Sequence, residues 1–171
     1  MKRILALLFT GIFSLALLAG CSGGSSSNTA SKTPATTQDY VNAITSSRSD
    51  EENEAYNIIT NETGDDDQML LSFFGVAKED MTNYAISMSM INIKSYGIAI
   101  VMPGEGKAQT ILDAANAFVE MQQNAQENYL PDQYAIAKAA IVKQLDSGEV
   151  VLVMCEDSST VLSNIEKALN A

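Results

Sequence analysis

The 171-residue chain has no histidine and only two cysteines, Cys21 and Cys155. Without an imidazole, no Cys-His or Ser-His nucleophile can be assembled. Basic side chains are also scarce, 10 against 21 acidic ones, for a formal net charge of −11. Nucleic-acid binding draws its affinity from Lys and Arg neutralising phosphates, so nucleic acid is excluded as a partner. Anionic headgroups and anionic wall polymers are repelled for the same reason. Internal repeats are missing, as is any apolar stretch of the roughly 20 residues needed to span a bilayer core.

What is present begins at the N-terminus. Lys2-Arg3 is followed by a mainly apolar run from Ile4 to Leu18 and then by Ala19-Gly20-Cys21. A basic start, an apolar middle and small residues at the cut are the parts of a secretory signal. A cysteine directly after Ala-Gly adds a thiol that can carry a diacylglyceryl group. The expectation is a lipoprotein signal peptide over residues 1–20, cut between Gly20 and Cys21, with Cys21 lipidated at the mature N-terminus. Two acyl chains on one cysteine give stable anchoring, at about 0.8 kcal/mol per buried methylene. The mature protein is then expected on the extracytoplasmic face of the cell membrane. Losing residues 1–20 removes two basic and no acidic side chains, leaving −13. Residues 21–38, rich in Ser, Gly and Thr, read as a flexible tether spanning roughly 23 Å.

Residues 39–171 have the length of one domain with its own core. With Cys21 consumed by lipid, Cys155 is left unpaired at the end of Val150-Val151-Leu152-Val153-Met154 and reads as a buried small hydrophobe. Helical spacing is clearest over Lys107–Asn128 and again through Val161, Leu162, Ile165 and Leu169, with Asp157 or Ser158 as cap. Strand character occupies Tyr84–Ile93, Tyr96–Met102, Ala139–Leu145 and Val150–Cys155, the last two joined by a hairpin at Asp146-Ser147-Gly148. The order β-β-α-β-β-α predicts an α+β fold: a four-stranded, largely antiparallel sheet with both main helices on one face. Short helices are expected at Tyr40–Ile44 and at Met69–Phe74, the latter stopped by Gly75. The stretch from Asp50 to Asp67 holds eight acidic residues and no basic one, and reads as an irregular, solvated segment.

Candidate sites are few. Asn61-Glu62-Thr63-Gly64-Asp65-Asp66-Asp67 is rich in calcium-type oxygens, but counting from Asp65 puts Met69 and Leu70 where an oxygen ligand and a glycine belong. No metal site and no cofactor are predicted. Met88 and Met90 alternate along one strand, as core fillers do. Pro103-Gly104-Glu105-Gly106-Lys107 opens a helix without the glycine spacing of a nucleotide loop, and reads as a connecting turn. Tyr129-Leu130-Pro131-Asp132-Gln133-Tyr134 stops the long helix at its proline. Tyr129, Pro131 and Tyr134 are the one candidate ligand groove, since tyrosine offers an apolar ring with a polar tip.

On Phe74-Gly75-Val76, Tyr84 through Met90-Ile91-Asn92, the Tyr129–Tyr134 element and Gly148 leading into Val150–Val153, the chain resembles the DUF4358 family. This is an uncharacterised family of small lipoproteins of Gram-positive bacteria carrying a domain of unknown function. The likeness covers about Leu70 to Leu169. It implies a lipoprotein with no assigned activity and no catalytic residues. Relatives are expected to carry an acidic residue near Tyr96-Gly97, where this chain has none, so any role of that acid has no counterpart here.

The leading expectation is therefore a non-catalytic, lipid-anchored domain that binds a protein, peptide or wall component outside the cell. A hydrolase using paired carboxylates is the alternative from the enzyme class. A transporter-associated binding lipoprotein is weaker, because such proteins clamp ligand between two hinged lobes. Replacing the lipid-bearing sulfur tests the address: Cys21→Ala should leave the precursor uncut and unacylated by mass spectrometry. A Cys21→Ala chain that is cut and partitions with lipid like the parent would overturn it.

Overall fold

The computed structural model describes residues 34–64 and 67–170. The expected signal peptide, its expected cleavage and lipidation site at Gly20 and Cys21, and most of the expected tether lie outside them. From Pro34 onwards the chain forms one compact unit. Its elements in order are α1 (Thr37–Ser47), α2 (Asp50–Ala55), β1 (Ile59–Thr60), α3 (Gln68–Phe74), a 3₁₀ turn (Lys78–Asp80), β2 (Met81–Met88), β3 (Gly97–Pro103), α4 (Ala108–Gln126), α5 (Pro131–Lys138), β4 (Ile141–Gln144), β5 (Val150–Met154) and α6 (Ser158–Leu169).

The α+β class is as expected, but the sheet has five strands, in the order β1-β2-β3-β5-β4, with every neighbour antiparallel. The added strand, β1, is two residues long and pairs Ile59 with Ile86 at the sheet edge. So short a segment shows no alternation in sequence. The helices also depart from expectation, because they cover both faces. On one face Ile86, Val101 and Leu152 pack with Phe74 of α3, Ile111 and Phe118 of α4 and Ala137 of α5. On the other, Ile98, Ile100, Val151 and Val153 pack with Tyr40 and Ile44 of α1 and Ile165 of α6. The physical reason lies in β3 and β5, whose residues are buried on both sides along nearly their whole length. A strand apolar on both faces strands one hydrophobic surface in water unless each side is covered.

Local signals explain most boundaries. Thr36 and Asp39 close a capping box on α1, and Asp157 caps α6 by accepting from the Thr160 amide. Gly75 ends α3 with φ of 84°, a left-handed cap that glycine adopts without a Cβ penalty. Gly97 is needed for another reason: a Cβ there would lie 3.2 Å from a Phe118 ring carbon, so α4 packs directly onto the β3 backbone.

Three further expectations are corrected. The acidic segment is not irregular throughout, since Asp50–Ala55 is helical, started by a Ser49–Glu52 capping box. Strand β2 ends at Met88 rather than Ile93, so Met88 is core while Met90 is 46% exposed. Past Met88 the chain turns, with the Lys94 amide donating to Ile91 O, and the buried Gln126 amide of α4 holds Asn92 O at 2.7 Å. Pro131 both follows the end of α4 and begins α5, as the first residue of that helix. The Pro103–Lys107 segment is a turn, held by Gly104 N donating to Asp80 O and by a Lys107–Asp80 ion pair at 2.7 Å.

Ile100, fully buried in the central strand, measures how much the fold depends on the doubly covered sheet. Ile100→Ala should cost about 2–5 kcal/mol in urea denaturation, whereas Met69→Ala, at an exposed site, should stay within about 0.5 kcal/mol. Equal effects would mean that β3 is not the centre of the core.

Candidate functional site

A cleft of about 480 Å³ opens at one end of the sheet. It forms where β3 begins and β5 ends, because three connections meet there: α1 to α2, the Ser89–Tyr96 loop, and β5 to α6. α5 closes one side through Gln133 and Ile136.

Arg48 lies against this cleft and is only 9% exposed. It is the C-cap of α1, in extended conformation, immediately before the Ser49 cap of α2. The guanidinium reaches under the sheet end. Nε donates to Asn53 Oδ1 at 2.7 Å, Nη1 to Ser87 Oγ at 2.7 Å and to Tyr96 Oη at 2.9 Å, and Nη2 to the Tyr56 carbonyl at 2.8 Å. Each partner is neutral, and neither of the two ion pairs among the described residues involves Arg48. A buried charge is expensive unless paired and hydrogen-bonded. Here the hydrogen bonds are made, but the positive charge has no contacting counter-ion.

The Tyr56 and Tyr96 rings stack 3.9 Å apart at 13° and make part of the wall. Burial pushes the Tyr96 phenol up to about 12, against the opposing pull of Arg48. Next to Tyr96, the Ser95 amide donates to Gln133 Oε1 at 2.8 Å. The Ser95 hydroxyl is different: the residue is 2% exposed, lines the cleft, and its Oγ has no hydrogen-bond partner. Such atoms are few in folded proteins, since leaving one unpaired costs about 1–3 kcal/mol.

Acidic residues complete the surround. Glu52 and Asp157 are engaged as caps, Glu52 accepting from Ser49 N at 3.0 Å and Asp157 from Thr160 N at 3.4 Å. Glu51 and Glu156 are exposed at the mouth, as is Lys94. Cys155 is 3% exposed, and burial pushes its thiol up, away from the thiolate a nucleophile requires. Its backbone amide donates to the Ser158 hydroxyl oxygen at 3.1 Å, and that hydroxyl in turn donates to Cys155 O at 3.0 Å.

The Tyr129–Tyr134 element thus reaches the cleft, but through Gln133. Tyr129 is 69% exposed, Pro131 is exposed at the start of α5, and Tyr134 lies half-buried beneath Lys138, whose Nζ is 5.8 Å from the ring centroid. None of these three lines the cleft. Exposed Met90, Ile91 and Ile93 sit in the loop that supplies Lys94, Ser95 and Tyr96 to it. Sequence reasoning missed Arg48, Ser95 and Gln133, which stand in polar stretches with no motif around them. The Ser49-x-x-Glu52 capping box was the one legible signal near Arg48. Among the described residues no group of three His, Cys, Asp or Glu is placed to hold a metal, and no helix is long and apolar enough to cross a membrane.

The DUF4358 family model, described as a domain of unknown function, matches residues 36–155, and the chain belongs to that family. The match starts at the N-cap of α1 and ends on Cys155, so it takes in Arg48, Ser95 and Gln133 and stops short of α6. No curated protein and no solved structure matches the chain.

Tyr96 makes the cleft readable by pH. An unfolded tyrosine titrates near 10, whereas the folded Tyr96 keeps its proton to about 12. Between those values the unfolded chain binds fewer protons, so stability should fall as pH rises through that window. Tyr40 and Tyr84 are raised by burial as well, so Tyr96→Phe should make the decline shallower without abolishing it. An unchanged slope in denaturation series across this range would contradict the burial of the phenol.

Proposed function

We propose that this DUF4358 protein is a lipid-anchored, extracytoplasmic lipoprotein whose folded part is a non-catalytic binding module. The observation that carries the reading is polarity along the sheet. The chain enters at one end, where Asn83 near the start of β2 donates to Ala35 O at 3.3 Å and accepts from Thr37 Oγ1 at 2.8 Å. The cleft is at the other end, beyond Met88, Gly97 and Met154. At about 3.3 Å per residue, β2 separates these ends by roughly 23 Å. The segment that enters the fold at Ala35–Thr37 therefore leaves the cleft clear, with exposed Ile91 and Ile93 in the loop beside it.

The chemistry of the cleft supports binding over turnover. Its only thiol is buried and raised, and the chain offers no imidazole. The hydrolase alternative rests on four carboxyl groups sharing one cleft. Against it, Glu52 and Asp157 are engaged in capping α2 and α6, and Glu51 and Glu156 stand in water rather than in the apolar surroundings that suit a general acid.

Photo-crosslinking on intact cells tests the reading. A crosslinker at Gln133, beside the cleft, should capture a specific extracytoplasmic protein, peptide or wall component identifiable by mass spectrometry. One at Thr82, near the opposite end, should not. Capture of the same lipid and neighbouring copies from both positions would overturn the binding-module assignment.

A further inference from the structure

We propose that the cleft is a binding site for a short zwitterionic peptide of two or three residues, a reading that rests on the binding-module assignment. Four observations define the ligand. The first is size: about 480 Å³ lies within the range of small-ligand pockets, roughly 300–1,000 Å³. A sphere of that volume is about 10 Å across, the extended length of three residues at about 3.3–3.6 Å each.

The second is the anion-binding side. Arg48 places a positive charge against the cleft with no contacting carboxylate, and Lys94 adds another at the mouth. Beside them, Gln133 has committed its oxygen to the Ser95 amide, leaving its NH₂ to donate. The third is the Ser95 hydroxyl, 98% buried and unpartnered on the same wall. A carboxylate seated here would accept from it and supply the charge that Arg48 lacks.

The fourth is the acidic part of the same mouth, where exposed Glu51 and Glu156 stand on α2 and on the β5–α6 connection. These suit an ammonium group. A purely anionic ligand would approach a chain of net charge −11 against long-range repulsion, and a purely cationic one would meet Arg48. A zwitterion carries no net charge and can satisfy side chains of both signs, while Ile136, Val161 and Tyr56 add apolar surface to the lining.

The chain contains no tryptophan, so indole emission reports a ligand directly. The full chain in detergent micelles would be titrated against Ala-Trp-Ala and against the same peptide N-acetylated and C-amidated, with empty micelles as control. The free peptide should bind saturably and at least about tenfold more tightly than the doubly blocked one, as expected for charge-assisted hydrogen bonds at both ends. Ser95→Ala should weaken binding by about three- to tenfold, one hydrogen bond's worth, and Lys94→Gln and Glu156→Gln should each weaken it, with circular dichroism confirming the fold. Equal affinity for free and blocked peptides, or no saturation by either at millimolar concentration, would overturn the zwitterion assignment. In that event capture from Gln133 would still uphold the binding module, whereas failure of that capture alone would reject the module itself.

Discussion

The two middle strands of the sheet carry hydrophobic side chains on both faces, and the rest of the molecule follows from the need to cover them. In β3 and β5, Ile98, Ile100, Val151 and Val153 point one way and Ala99, Val101, Leu152 and Met154 the other, nearly all of them inaccessible to water. One layer of helices would leave one of these sets wet. The chain answers by alternating sides: α1 and α6 pack together over one face, while α3, α4 and α5 occupy the other. The sheet also ties distant parts of the chain together, as where Tyr40 in α1 donates to Glu149 at the foot of β5 at 3.1 Å.

Covering both faces has a consequence at the sheet end. Helices that flank a sheet diverge past its last hydrogen bonds, and the connections α1–α2, β2–β3 and β5–α6 leave a gap between them. Arg48 bridges part of that gap. Its four neutral partners come from α2, β2, the residue after α2 and the residue before β3, so a single guanidinium joins the N-terminal helices to the sheet. The same burial that makes Arg48 a brace leaves its charge facing the cleft without a counter-ion. Structural and functional readings of this residue are therefore not competitors, because bracing uses its hydrogen bonds and ligand attraction uses its charge.

Legibility in the sequence varied with the range of the signal. Helices α4 and α6 were visible because their apolar residues recur every three or four positions, and the Asp157 cap and the Gly75 stop were visible because they act within one turn. Strands β3 and β5 stood out as unbroken apolar runs. Their double burial is legible too, and it requires a cover on each face of the sheet rather than on one. Helix α2 hid within an acidic run, although Ser49 and Glu52 formed its capping box. Pro131 marks the end of one helix in the sequence, and the structure shows that it also begins the next. For the cleft, the Tyr129–Tyr134 element pointed to the right segment and the wrong side chains, since helical geometry turns Gln133 and Ile136 inward and leaves Tyr129 in water.

Taken alone, the sequence determined the α+β class, the places of the main helices and strands, the unpaired state of Cys155 and the excess of acidic over basic side chains. Each of these follows from composition or from contacts within a few residues. Only the tertiary structure decided which face each helix covers, that a two-residue strand extends the edge, and that Arg48, Ser95 and Gln133 share one cleft. Those three lie 38 to 85 positions apart. No periodicity or spacing connects residues that far along a chain; what brings them together is the burial of a common sheet, and that interaction has no local signature.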